Sequence, residues 1–218
     1  MALLMSGEFI LSLFDWAGVF VFALSGGLMA VRQKFDILGV IIIAWLPAIG
    51  GGTLRDLLLD QPVFWLDDPV SLSLATLAGV AAFFGPHFWA RIRALVWVDA
   101  MGLALFAVVG AAKAAELGYG FMICTLMGTM TATAGGLIRD VVCNETPLLL
   151  RKEIYATAAI FGAASFYIAL KCGLTEGLAL SIGAAIAFII RGLSLKFDLN
   201  LPSSDFEKQD GRIRGKKP

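Results

Sequence analysis

Charged and turn-forming residues divide the chain into seven apolar runs, at residues 9–31, 37–59, 70–89, 95–115, 121–143, 154–170 and 174–192. Polar positions inside them are sparse and do not alternate with apolar ones, which argues against barrel strands and for helices that cross a bilayer. A crossing helix needs about 20 residues. The second and fifth runs reach that length only by continuing through Gly50-Gly51-Gly52 and Gly135-Gly136. Pro47 adds a missing amide proton to the second run. Both are therefore predicted to be broken helices that open backbone groups inside the membrane, a condition tolerated only within protein or along an aqueous cavity.

The hexad Gly51-Gly52-Thr53-Leu54-Arg55-Asp56 returns as Gly135-Gly136-Leu137-Ile138-Arg139-Asp140, 84 residues later. The same offset, without a gap, pairs Asp15 with Asp99, Gly18 with Gly102, Phe22 with Phe106, Gly26 with Gly110 and Ala30 with Ala114. Agreement over that length marks an internal duplication. Equivalent positions lie three crossings apart, an odd number, so the two repeats enter the membrane from opposite sides. The fold class predicted is all-α and membrane-integral, seven transmembrane helices arranged as a 3+3 inverted repeat plus one. Residues 1–94 form the first repeat, 95–173 the second and 174–195 the seventh helix, and 196–218 form a polar tail expected to be disordered. Inverted repeats with interrupted helices at matching positions place a solute or ion site near the bilayer midplane.

Composition supports a membrane assignment: 59% of residues are hydrophobic and 16% charged, too little polar surface to cover a soluble globule. The net charge of zero hides an asymmetry that orients the chain. Assigning alternate connections to two sides gives one side Arg55, Lys113 and Lys171, and the other the remaining 14 of the 17 Lys and Arg residues. By the positive-inside rule the N-terminus is outside and the C-terminus cytoplasmic, in a cell inner membrane. Asp60, Asp67 and Asp68 then lie outside, and Trp65, Trp89 and Trp97 sit near span ends as interfacial anchors would. No Lys or Arg precedes Arg32, so the first run lacks the basic region of a cleavable signal and is expected to remain in the mature protein. One histidine, His87 in a Gly85-Pro86-His87 turn, and three scattered cysteines (Cys124, Cys143, Cys172) leave little material for a metal centre or catalytic triad. No enzyme, structural metal, cofactor or nucleic-acid partner is expected.

Arg and Asp near a helix centre cost roughly 2.5–3.5 kcal/mol each, so two Arg-Asp pairs beside two helix breaks are the candidate chemistry. Arg55, Asp56, Arg139 and Asp140 admit two compatible readings. In one they are a structural clasp, each Asp capping the first turn of the half-helix after its glycines and each Arg binding the carbonyls freed on the half before, or the Asp of the other repeat. In the other they gate a passage lined by Gly51, Gly52, Thr53, Gly135 and Gly136 and by Thr125, Thr129 and Thr133, a polar stripe at four-residue spacing. Asp15 and Asp99 occupy one face of the first and fourth spans with the repeated glycines. They are candidate outer and inner mouths that would concentrate cations, or else caps. Lys113 continues the fourth-span face and is either a mouth residue or a side chain that snorkels to the interface.

With its two Gly-Gly-x-x-Arg-Asp copies on the second and fifth of seven spans, the chain resembles over residues 10–192 the prokaryotic trimeric intracellular cation (TRIC) channels, a family overlapping bacterial proteins described as glycine transporters. The resemblance implies a homotrimer in lipid, each subunit with a potassium-permeable pore formed mainly by spans one, two, four and five and kinked at the glycines. Arg55, Asp56, Arg139 and Asp140 match the motif. The Lys-Glu-Val of animal members near the start of span four has no counterpart in Val98-Asp99-Ala100-Met101-Gly102, so their lipid and calcium regulation is not carried over. The leading expectation is a passive monovalent cation channel with potassium as the permeant ion. The alternative is a secondary transporter of a small zwitterion such as glycine, which would use the arginines to bind carboxylate.

Overall fold

The computed structural model describes residues 7–67, 69–85, 92–151 and 153–201. Asp68, His87, Trp89 and the tail from residue 202 lie outside that set, so the expectations placed on them are not addressed. The described residues are helical almost throughout, with seven long helices: α1 Gly7–Arg32, α2 Ile37–Leu58, α3 Pro69–Phe84, α4 Ile92–Glu116, α5 Phe121–Val142, α6 Ala156–Lys171 and α7 Glu176–Phe197. Five of them (α1, α2, α4, α5, α7) are long and apolar enough to cross a membrane, while α3 and α6 are apolar but 16 residues each. Each short helix is preceded by a separate helical turn, Phe64–Asp67 before α3 and the 3-10 turn Leu148–Leu150 before α6.

Sequence explains the helix ends locally. Asp36 caps α2 by accepting from the Gly39 amide at 2.7 Å, which satisfies one of the orphan donors of the first turn. After α2 and α5 the chain turns through Asp60 and Asn144, both at positive φ (53° and 54°), the left-handed conformation that Asp and Asn tolerate better than most residues.

Helices α2 and α5 cover the same 22 residues displaced by 84 positions. The duplication also organises the packing. α1, α2 and α3 pack together, as do α4, α5 and α6, and the two groups meet where α1 lies on α4 and α2 on α5. A β-carbon added at Gly18 would lie 2.5 Å from the Phe106 ring, and one at Gly102 would lie 2.5 Å from the Phe22 ring. Those are equivalent contacts with the repeats exchanged, and they run in opposite order along the two helices. Equivalent helices are therefore antiparallel, which is what inversion of one repeat requires. Phe22 and Phe106 close the pair edge-to-face at 5.2 Å.

The predicted breaks in α2 and α5 are corrected. Both helices continue through their glycines, and the glycines serve close approach instead. A β-carbon at Gly51 would strike the Thr131 carbonyl oxygen, and one at Gly135 would lie 2.6 Å from the Pro47 carbonyl oxygen. Pro47 and Thr131 are equivalent under the repeat, so the crossing of α2 on α5 is itself two-fold. Only residues without side chains allow backbones this close in a membrane protein. The carbonyl of Ile43, which Pro47 cannot serve, faces Gly26 of α1, where a β-carbon would sit 2.6 Å away.

The seventh helix packs on α6 and α4, with a minor contact to α1. It runs to Phe197, and Asn200 forms an antiparallel bridge with Glu153. Order thus extends into residues 196–200, which the polar pattern assigned to a disordered tail, because the backbone there finds a partner in the α5–α6 connection.

Candidate functional site

The two Arg-Asp pairs do not meet, and neither lies at the middle of the molecule. Arg55 and Arg139 each stand in the last turn of a helix, where a cation also complements the helix dipole. Because α2 and α5 are antiparallel, the pairs occupy opposite ends of the molecule. The expectation that the Arg-Asp pairs sit near the helix centres is corrected accordingly: the middle is the glycine crossing, and the charges are at its two ends.

At the α5 end, Arg139 Nε donates to Asp140 Oδ1 at 2.8 Å, with Nη2 2.7 Å from the same oxygen. Its Nη1 donates to Asp99 Oδ1 at 2.7 Å and to Ser25 Oγ at 2.6 Å. Asp140 Oδ2 accepts from the Leu148 amide at 2.9 Å and so holds the 3-10 turn. Arg139, Asp99 and Ser25 are fully buried. One guanidinium thus faces two carboxylates, and the cluster carries a net charge of −1. Asp99 Oδ2 and the Tyr155 hydroxyl are both buried in it, and Tyr155 Oη would lie 3.1 Å from a β-carbon at Gly136.

At the α2 end the same skeleton is thinner. Arg55 Nε and Nη2 each lie 2.8 Å from Asp56 Oδ1, and Asp56 Oδ2 accepts from the Phe64 amide at 3.0 Å, eight residues on, as Leu148 is from Asp140. The guanidinium carbon stands 5.7 Å from the centre of the Phe64 ring, and that ring covers Gly52, where a β-carbon would approach to 2.6 Å. Two adjoining cavities open here. One, of about 490 Å³, is bordered by Asp15, Phe64, Lys113 and Glu116. The second, of about 320 Å³, is bordered by Arg55, Asp56, Asp67 and the same Phe64, Lys113 and Glu116. Lys113 pairs with Glu116 at 3.3 Å, both about half exposed.

The structure therefore joins Asp99 to Arg139 and Asp140, and sets Asp15 and Lys113 around the cavities beside Arg55 and Asp56. Asp99, a candidate for the inner mouth or a cap, is fully buried in this cluster, because its face on α4 turns toward Ser25 of α1 and Arg139 of α5. The threonines are turned back on their own helices: Thr53 donates to Ile49 O at 2.7 Å, Thr129 to Thr125 O and Thr133 to Thr129 O, both at 2.8 Å. Their hydroxyls can still accept, and Thr53 does so from Trp65 Nε1 at 2.9 Å. Ser25, Phe64, Leu148 and Tyr155 were not legible as site residues. The only signal for two of them was that Phe64 and Leu148 stand at equivalent positions, each eight residues beyond a motif aspartate.

A family model described as "Glycine transporter" matches residues 12–87 and again 96–171, once per repeat. The chain is similar to the UPF0126 inner membrane protein YadS of Escherichia coli (strain K12), 37% identical over 87% of this chain and 93% of that one. It is similar to the TRIC trimeric intracellular cation channel orthologue from Rhodobacter sphaeroides, with a TM-score of 0.84, 42% identity, and 87% and 99% of the two chains covered. A prokaryotic TRIC channel crystallised in 0.5 M KCl gives a TM-score of 0.82 at 31% identity, covering 89% of this chain and all of that one.

Proposed function

Since the chain belongs to the prokaryotic TRIC family, whose sequence model carries the description glycine transporter, we propose that it is a homotrimeric channel, not an enzyme, passing monovalent cations, with potassium the principal ion. Each subunit holds its own pathway between the repeats, 1–94 and 95–173, along the line where α2 crosses α5. The charge asymmetry puts the α2 end outside and the α5 end at the cytoplasm of a plasma membrane. Asp15 and the Lys113-Glu116 pair flank the outer mouth. Thr53, Thr129 and Thr133 offer acceptor oxygens once the helices part at Gly51, Gly52, Gly135 and Gly136. The Asp99-Arg139-Asp140 cluster is the closed gate. No cofactor takes part.

The observation that carries this reading is the pairing of both arginines with carboxylates. A free guanidinium in the pathway would repel potassium, and that objection favoured a zwitterion carrier. With Arg55 bound to Asp56 and Arg139 held between Asp99 and Asp140, the closed α5 end is net anionic, and cations meet no uncompensated positive charge.

Planar-bilayer recording of the purified protein in asymmetric potassium chloride tests it. Discrete currents reversing near the potassium equilibrium potential are expected, with open probability altered by Arg139→Ala or Asp140→Ala. Saturable counterflow of labelled glycine without unitary currents would replace this reading with the carrier.

A further inference from the structure

A third buried arginine lies outside the duplicated motif. Arg191, on α7, is fully buried. Its Nη2 donates to Glu153 Oε2 at 2.6 Å and its Nη1 to the Ile154 carbonyl at 3.2 Å. Its guanidinium carbon stands 5.1 Å from the centre of the Tyr155 ring, and Nε makes no hydrogen bond. Three consecutive residues of the α5–α6 connection are therefore held by one side chain. The third of them, Tyr155, is the group whose hydroxyl rests over Gly136 beside Asp99 and Arg139.

The repeat shows what this adds. Gly52 and Gly136 are equivalent, and each faces an aromatic side chain, the ring edge of Phe64 at the α2 end and the hydroxyl of Tyr155 at the α5 end. Phe64 is half-buried and borders both cavities, whereas Tyr155 is 1% exposed. Phe64 belongs to the turn that follows α2. Tyr155 lies beyond the corresponding turn and is held by α7, an element outside both matched repeats.

We propose that Arg191 is a positioning residue for the cytoplasmic gate: by gripping Glu153, Ile154 and Tyr155 it holds the Tyr155 hydroxyl over Gly136, beside Asp99 and Arg139, and so keeps the Asp99-Arg139-Asp140 cluster closed. This rests on reading that cluster as the gate. The charges around the grip are compatible with the task. Arg191 is matched by Glu153, and among the described residues Asp99 and Arg139 are the cluster charges that meet Tyr155 at Gly136. The Asn200 bridge to Glu153 joins the same grip to the residues just after α7. A guanidinium suits this use because it reaches a carboxylate, a carbonyl and a ring face at once, which a lysine ammonium does less well.

The experiment is single-channel recording of the full-length trimer in potassium chloride for wild type, Arg191→Gln, Arg191→Lys, Glu153→Gln and the double variant Arg191→Gln/Glu153→Gln. Arg191→Gln is expected to raise open probability at least fivefold with unitary conductance and cation selectivity unchanged. Arg191→Lys is expected to restore part of the closure. Glu153→Gln, which leaves Arg191 in place, gives a smaller rise, and the double variant exceeds Arg191→Gln by little. If Arg191→Gln fails to assemble, Glu153→Gln carries the same test at a partly exposed position. Unchanged open probability in the Arg191 and Glu153 variants, with Arg139→Ala still altering it, would overturn the positioning role while leaving the gate. No change in any of them, Arg139→Ala included, would mean that the gate itself is misassigned.

Discussion

Both arginines are buried, but Arg139 donates to Asp140, Asp99 and Ser25, whereas Arg55 pairs with one carboxylate, Asp56, and borders a cavity of about 320 Å³. Removing one partner of a buried ion pair costs about 3–5 kcal/mol, because the other charge is left uncompensated, and water entering the adjoining cavity can offset part of that cost at the α2 end. Asp99→Asn is therefore expected to favour the open channel at least tenfold, equivalent to about 1.4 kcal/mol, and Asp56→Asn to change open probability less than threefold. Equal effects in paired recordings would mean that the two ends do not differ as described. The motif marked the arginines and aspartates as exceptional, but the cap expected on the turn after the glycines is instead made to the next element: Asp56 and Asp140 accept from the Phe64 and Leu148 amides. The motif did not show Ser25 or Tyr155, because contacts 74 and 114 positions apart, such as Ser25 with Asp99 and with Arg139, leave no trace in local spacing.

At the scale of helices, the glycine clusters were legible as special places but not for the right reason. A glycine run within an apolar segment permits either an opened helix or a close crossing, and only the partner decides between them. Here Thr131 and Pro47 come close enough to require the second. The three consecutive glycines of α2 consequently make different predictions. A β-carbon at Gly50 would meet only the Ile138 side chain at 3.4 Å and Gly135 Cα at 3.7 Å. Gly50→Ala should therefore be neutral or stabilising, by up to about 1 kcal/mol of helix propensity. Gly51→Ala and Gly135→Ala push against backbone carbonyls and should each cost roughly 1–3 kcal/mol. Thermal unfolding of the detergent-solubilised trimers checks the order; a Gly51→Ala protein as stable as Gly50→Ala would contradict the crossing.

For the whole molecule, the 84-residue offset and the odd number of crossings contained the inverted arrangement. The reciprocal contacts of Gly18 with Phe106 and Gly102 with Phe22 realise it. What the repeat did not contain is the difference between its ends. Two-fold sequence equivalence predicts two equal ends, yet one opens on cavities bordered by Phe64, while at the other the described side chains of Asp99, Arg139 and Tyr155 are buried. That asymmetry comes from elements outside the repeat and from side chains the duplication did not keep, Tyr155 standing where the first repeat has Ser71. The central claim is a pathway wetted from the outer end and sealed at the cytoplasmic end. Its most direct test is modification by a membrane-impermeant thiol reagent of Ser12→Cys, beside the larger cavity, and of Ser25→Cys, in the sealed cluster. Exposed Cys172 is replaced in both. Ser12→Cys is expected to react from outside in the closed channel, and Ser25→Cys only when Arg139→Ala opens the gate. Rapid modification of Ser25→Cys from either side with the gate residues intact would contradict the account.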